Sequence, residues 1–138
     1  MTAGYLFVNM ENNTGSYAGA GHPPLLHWRA QTGKTSEYKE NGLVVGPFSH
    51  STYSATAFPC ERGDRIVLFT DGIVEATDSL GKEFGIDRLK RILESKHDLP
   101  ASRFADALLY GLSGWSAHAI GTGQTDDLTV LVIGFEDQ

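Results

Sequence analysis

Three aspartates at strand junctions carry the chemistry this sequence can offer. Asp71 follows the apolar run Ile66-Val67-Leu68-Phe69 and precedes Gly72, while Asp126 and Asp127 stand directly before Leu128-Thr129-Val130-Leu131-Val132-Ile133. If the two strands are neighbours, Asp71 meets Asp126 or Asp127 at one sheet edge. Carboxylates gathered that closely repel one another unless a positive charge neutralises them, and an all-oxygen set suits Mg²⁺ or Mn²⁺. Each aspartate also has a plainer reading. Asp-Gly after a strand is ordinary turn chemistry, and Asp126 can simply cap a loop.

Other candidates are weaker. His22, between Gly21 and Pro23, is a base, a ligand or a hydrogen-bonded loop residue, the last being the plainest. His27, His50, His97 and His118 show no HExxH-type spacing, which disfavours zinc. Cys60 is the only cysteine, so no intrachain disulfide and no thiolate metal site is expected within one chain. No Gly-x-Ser-x-Gly elbow, phosphate-binding loop or dinucleotide fingerprint occurs.

The elements that must position these groups follow from pattern. Tyr5–Val8 and Ser16–Gly19 flank the turn cluster Glu11-Asn12-Asn13-Thr14-Gly15 and read as a hairpin. Leu25–Trp28 and Thr35–Tyr38 read as a second pair around Gln31-Thr32-Gly33-Lys34. Gly42–Gly46 is a short apolar run, Thr52–Phe58 is β-prone, and Gly63-Asp64 turns into the central strand Ile66–Phe69. Ile73–Ala76 reads as one helical turn. Ile86, Leu89, Ile92 and Leu93 follow helical spacing to about Ser95, with Lys90 and Arg91 on the polar side. A second helix runs from about Pro100 to Trp115, and the chain returns to a strand at Leu128–Ile133. Many strands, two helices and a strand make an α+β fold rather than an alternating one.

Composition bounds the rest. The chain of 138 residues, 41% hydrophobic and 20% charged, reads as one globular domain spanning 1–138. A net charge of -6 argues against a backbone-driven nucleic-acid binder. The longest charge-free apolar segment, Leu128 to Phe135, is too short to span a bilayer, so no membrane contact is expected. A reducing, cytoplasmic setting is compatible with the single cysteine.

Successive segments resemble one family in its own motif order: Tyr17-Ala18-Gly19-Ala20-Gly21-His22-Pro23-Pro24-Leu25-Leu26, Gly42-Leu43-Val44-Val45-Gly46, Gly63 to Ala76, Phe84-Gly85, and Gln124-Thr125-Asp126-Asp127-Leu128-Thr129. These are similar to motifs of the stage II sporulation protein E (SpoIIE) type of bacterial serine/threonine phosphatases, metal-dependent and phosphatase 2C-like. The resemblance implies a β-sandwich flanked by helices with a binuclear Mn²⁺ or Mg²⁺ site at one edge. It implies Asp71 and Asp126 as metal ligands, Asp127 as an assisting one, and His22 and Gly72 as neighbours behind them. The family's domain begins with further strands and two helices that carry a Gly-Asp-containing motif and an Asp-x-x-Gly-His-Gly-like motif, each supplying an aspartate, and neither motif is present. By resemblance the chain is therefore an incomplete domain, roughly the C-terminal two-thirds. The implied activity is hydrolysis of phosphoserine or phosphothreonine on a regulatory protein such as an anti-sigma-factor antagonist, weak or absent in this chain alone. The alternative is a non-catalytic, phosphatase-like interaction module. A sheet lacking its first strands exposes an edge, for which a homodimer is the expected cover.

Overall fold

The Asn9 side chain starts the first turn. Its Oδ1 accepts the Glu11 and Asn12 amides (2.9 and 3.2 Å), and Asn13 takes the left-handed conformation (φ 52°) that asparagine tolerates. The strands on either side, β1 (Ala3–Asn9) and β2 (Thr14–Ala20), pair antiparallel over their full length. The structure, a computed structural model, describes residues 1–39, 41–116 and 127–136. On its other side β2 is shared by two short strands, β5 (Asn41–Gly42), parallel to it, and β6 (Thr56–Pro59), antiparallel. These four make sheet A. Sheet B has the order β4-β3-β7-β8, formed by β3 (Leu25–Arg29), β4 (Lys34–Tyr38), β7 (Arg65–Phe69) and β8 (Val130–Gly134).

The central strand β7 is buried on both faces, which explains its unbroken apolar run. Val67 and Phe69 join Leu26 and Trp28 against the helix layer, where α2 (Ile86–Ser95) contributes Leu89 and Leu93 and α3 (Ala101–Trp115) contributes Phe104, Leu108 and Leu112. Ile66 faces the other way and packs with Tyr17, Leu25, Phe58 and Cys60 between the sheets. The α+β sandwich expectation thus holds, with the described helices on sheet B. The outer face of sheet A leaves Tyr5 65% and Phe7 52% exposed.

Local departures have physical reasons. The β-prone stretch from Thr52 is a strand only from Thr56, where it reaches β2. The Gly42–Gly46 run contributes one strand residue, because its valines are used elsewhere: Val44 lies against Gly21, and the Val45 amide donates to the Met1 carbonyl (2.8 Å). Helix α1 (Asp71–Val74) starts at Asp71 itself rather than at Ile73. Lys90 does not simply face solvent; its Nζ reaches Glu37 Oε1 on β4 at 2.8 Å.

Candidate metal centre

The exit of β7 and the start of β8 are neighbours, the condition under which the two acidic junctions could meet. β7 and β8 pair antiparallel from Arg65↔Gly134 to Phe69↔Val130. Beyond the last pair, Thr70 continues the connection. Its amide donates to the Thr129 carbonyl (3.0 Å), its Oγ1 accepts the Thr129 amide (3.0 Å), and the same hydroxyl donates to the Asp127 carbonyl (3.1 Å). Three hydrogen bonds from one residue therefore lace the residue before Asp71 to the segment that begins at Asp127. Thr70 occupies the N-cap position of α1 yet makes no side-chain cap bond, because its hydroxyl is committed to this lacing.

Asp71 is exposed in the first turn of α1, and its Oδ1 accepts the Gly72 amide at 3.1 Å. That bond fixes one oxygen and leaves the other to solvent or a ligand. Asp127 is exposed as well. Asp126, the other expected ligand, lies outside the described residues. His22 sits in the link from β2 to β3. Since β3 runs antiparallel to β7, that link enters sheet B at the end where β7 exits. His22 Nδ1 lies 2.8 Å from the Pro23 carbonyl and 3.3 Å from Tyr17 Oη, and the Tyr17 hydroxyl donates to the same carbonyl (3.1 Å). With Nδ1 protonated toward Pro23, the imidazole is held as part of the link. Burial raises the Tyr17 pKa, which keeps this phenol neutral and able to donate.

The donor set is all carboxylate oxygen, the chemistry a hard divalent cation takes. Among the described residues, no third His, Cys, Asp or Glu gathers with Asp71 and Asp127; the one such group of three is His27, Cys60 and Asp64, all buried. Spacing gave no sign of that group, since its members lie on different segments. The expectation that a lone cysteine builds no thiolate site did not foresee a mixed set.

Fold and edge together define a phosphatase 2C-like sandwich, and the chain belongs to the stage II sporulation protein E (SpoIIE) family, matched over residues 1–136. Among curated proteins it is 32% identical over 81 residues to the phosphoserine phosphatase RsbU of Bacillus subtilis, which covers 59% of this chain and 24% of RsbU. Among solved structures it resembles the SiaA-PP2C domain of Pseudomonas aeruginosa (TM-score 0.82, 25% identity, 98% of this chain and 52% of that one). It also shares the fold of the Mn-presoaked SpoIIE phosphatase domain of B. subtilis (TM-score 0.73, 14% identity, 99% and 57%). The chain thus spans about half of these solved domains rather than the two-thirds expected, and about a quarter of RsbU. No described helix is long and apolar enough to cross a membrane.

Proposed function

We propose that residues 1–138 are one portion of a metal-dependent protein phosphatase domain that hydrolyses phosphoserine or phosphothreonine on a regulatory phosphoprotein such as an anti-sigma-factor antagonist, in the cytoplasm. The observation that carries this reading is the Thr70 lacing, which joins the exit of β7 at Asp71 to the segment at Asp127 in a chain of the SpoIIE family. Asp71, Asp126 and Asp127 would hold Mn²⁺ or Mg²⁺, a binuclear pair once the remaining ligands are supplied from outside this chain. Bound there, such cations lower the pKa of a bound water and neutralise charge on phosphoryl oxygens. The protein's part is to present carboxylates from rigid strand ends. The Gly72 amide orients the Asp71 carboxylate, and Thr70 fixes the backbone on both sides of the junction. No side-chain nucleophile is needed.

A second reading has its own support. Asp71 and Asp127 gather no further ligand among the described residues, and two carboxylates hold a hydrated divalent cation weakly. On that reading the chain is an interaction module with a phosphatase-like fold. Calorimetric titration of Mn²⁺ into the chain, with Asp71→Asn as control and aryl phosphate hydrolysis in parallel, separates the two. Binding lost in Asp71→Asn supports the phosphatase reading, and an unchanged isotherm in that variant refutes the ligand assignment. No binding by either protein favours the module.

A further inference from the structure

Seven residues before Asp71, at the opposite end of β7, a second cluster of ligating side chains is closed inside the sandwich. His27 comes from the middle of β3, Cys60 from just after β6, and Asp64 from just before β7. His27 and Cys60 are 0% exposed and Asp64 is 2% exposed. One ligand atom from each, an imidazole nitrogen, the thiol sulfur and a carboxylate oxygen, lie within 4.8 Å of one another. His27 Nε2 is 2.8 Å from Asp64 Oδ2. The Cys60 thiol is buried beside them and is in no disulfide.

We propose that His27, Cys60 and Asp64 bind a zinc ion between the two sheets, a site separate from the carboxylate edge at Asp71. Mixed sulfur, nitrogen and oxygen donors select zinc over magnesium or manganese. A thiolate and a carboxylate together balance the 2+ charge, so the buried site is neutral overall. The outer contacts fit as well. The Ala30 amide donates to Asp64 Oδ1 (2.9 Å) and the Glu61 amide to Oδ2 (3.0 Å), which hold the carboxylate in place. Zinc bonds of about 2.0 Å at a tetrahedral angle set neighbouring N and O ligands about 3.3 Å apart, so the His27–Asp64 contact opens by about half an ångström.

The protons balance. In the metal-free protein His27 Nε2–H donates to Asp64 and Cys60 is a thiol, its pKa pushed up to about 11 by burial and then by the charges of Asp64 and Glu61. On binding, the Cys60 proton leaves to solvent. The imidazole stays neutral by moving its proton to Nδ1, which faces Tyr38 Oη at 3.5 Å, an acceptor suited to that tautomer. One proton is released per ion.

The test is cobalt substitution in the full chain, stripped with chelator and kept reduced, with Co²⁺ added both to folded protein and before refolding. The expected result is a thiolate-to-cobalt charge-transfer band at one equivalent, displaced by zinc, absent in Cys60→Ala and retained in Asp71→Asn. An oxygen-only site gives no such band, and over seven residues at about 3.3 Å each the Asp71 edge lies about 23 Å away. Zinc affinity is expected to fall on the order of 100-fold in Cys60→Ala, with folding verified by circular dichroism. No band under either loading protocol overturns the proposal and leaves a metal-free buried pair, and a band and affinity unchanged in His27→Gln overturns it by removing His27 from the ligand set.

Discussion

Thr70→Val tests whether the lacing at the β7 exit matters. Valine keeps the shape of threonine and removes only the hydroxyl, so the Thr70 amide bond to the Thr129 carbonyl survives. The contacts with the Thr129 amide (3.0 Å) and the Asp127 carbonyl (3.1 Å) are lost. Each such bond contributes about 0.5–1.5 kcal/mol net. Because Asp127 and Thr129 are exposed, water replaces part of that, and the combined loss is expected near the lower end, about 1 kcal/mol. That corresponds to roughly fivefold faster exchange of the Thr129 amide proton by local opening. Any Mn²⁺ bound at Asp71 and Asp127 must then restore the order, so its affinity falls by a similar factor. Amide exchange by NMR reads the first effect without needing metal, and calorimetry reads the second. Thr70→Ser keeps the hydroxyl and should restore both. An unchanged Thr129 exchange rate in Thr70→Val refutes the reasoning, whatever the metal titration shows.

Three further outcomes follow from the interior and the open edge. Burial lowers the His27 pKa below its usual 6.5 despite the opposing pull of Asp64, so the unfolded chain takes up a proton there that the folded chain refuses. Stability of the metal-free protein should therefore fall as pH drops below about 6.5, by at most about 1.4 kcal/mol per pH unit from this group. His27→Gln should flatten that slope, and parallel slopes would contradict the assignment. In Gly15→Ala, the new Cβ would lie 2.3 Å from Phe58 Cε2, in a ring stacked on Tyr38 at 4.4 Å, so a loss of about 1–3 kcal/mol is expected in urea unfolding; a loss below a few tenths would mean that the ring is free to move. If a homodimer covers the β1 edge, Phe7→Lys should convert it to a monomer by light scattering, and a wild-type monomer at high concentration would remove that idea.

Much of the frame was legible because its signals are local. The apolar run Ile66–Phe69, bounded by Gly63-Asp64 and Asp71-Gly72, marked the central strand, and the spacing of Ile86, Leu89 and Leu93 marked α2. The antiparallel pairing of β7 with β8 supplies the condition on which the meeting of the two acidic junctions depended. What escaped depends on register across strands. His27, Cys60 and Asp64 converge only because β3 and β7 pair with His27 opposite Ile66, which sends His27 and Asp64 into the same layer. A buried aspartate in a turn before an apolar strand is itself a signal, since it must find donors. The role of Thr70 leaves no local trace, because its hydroxyl serves a segment 57 residues away.

The two ends of β7 divide stability from chemistry, and one substitution can separate them. At the start of the strand, the Asp64 carboxylate accepts from Ala30, Glu61 and His27, and Arg65, 6% exposed, donates to the Leu99 carbonyl and lies over the Phe104 ring at 5.6 Å. At the exit, Asp71, Asp127 and Thr129 are exposed. Asp64→Asn keeps the volume but replaces one accepting oxygen with an N–H₂ facing donors, a buried mismatch costing about 1–3 kcal/mol. The whole of that cost should appear in global unfolding. Core amides of β7 should exchange faster in proportion, whereas the local opening that exposes the Thr129 amide should keep its wild-type free energy. Thr70→Val should do the reverse. If Asp64→Asn loosens Thr129 as much as the core amides do under native conditions, the strand transmits disturbance along its length. The acidic edge would then depend on the buried end rather than on its own lacing.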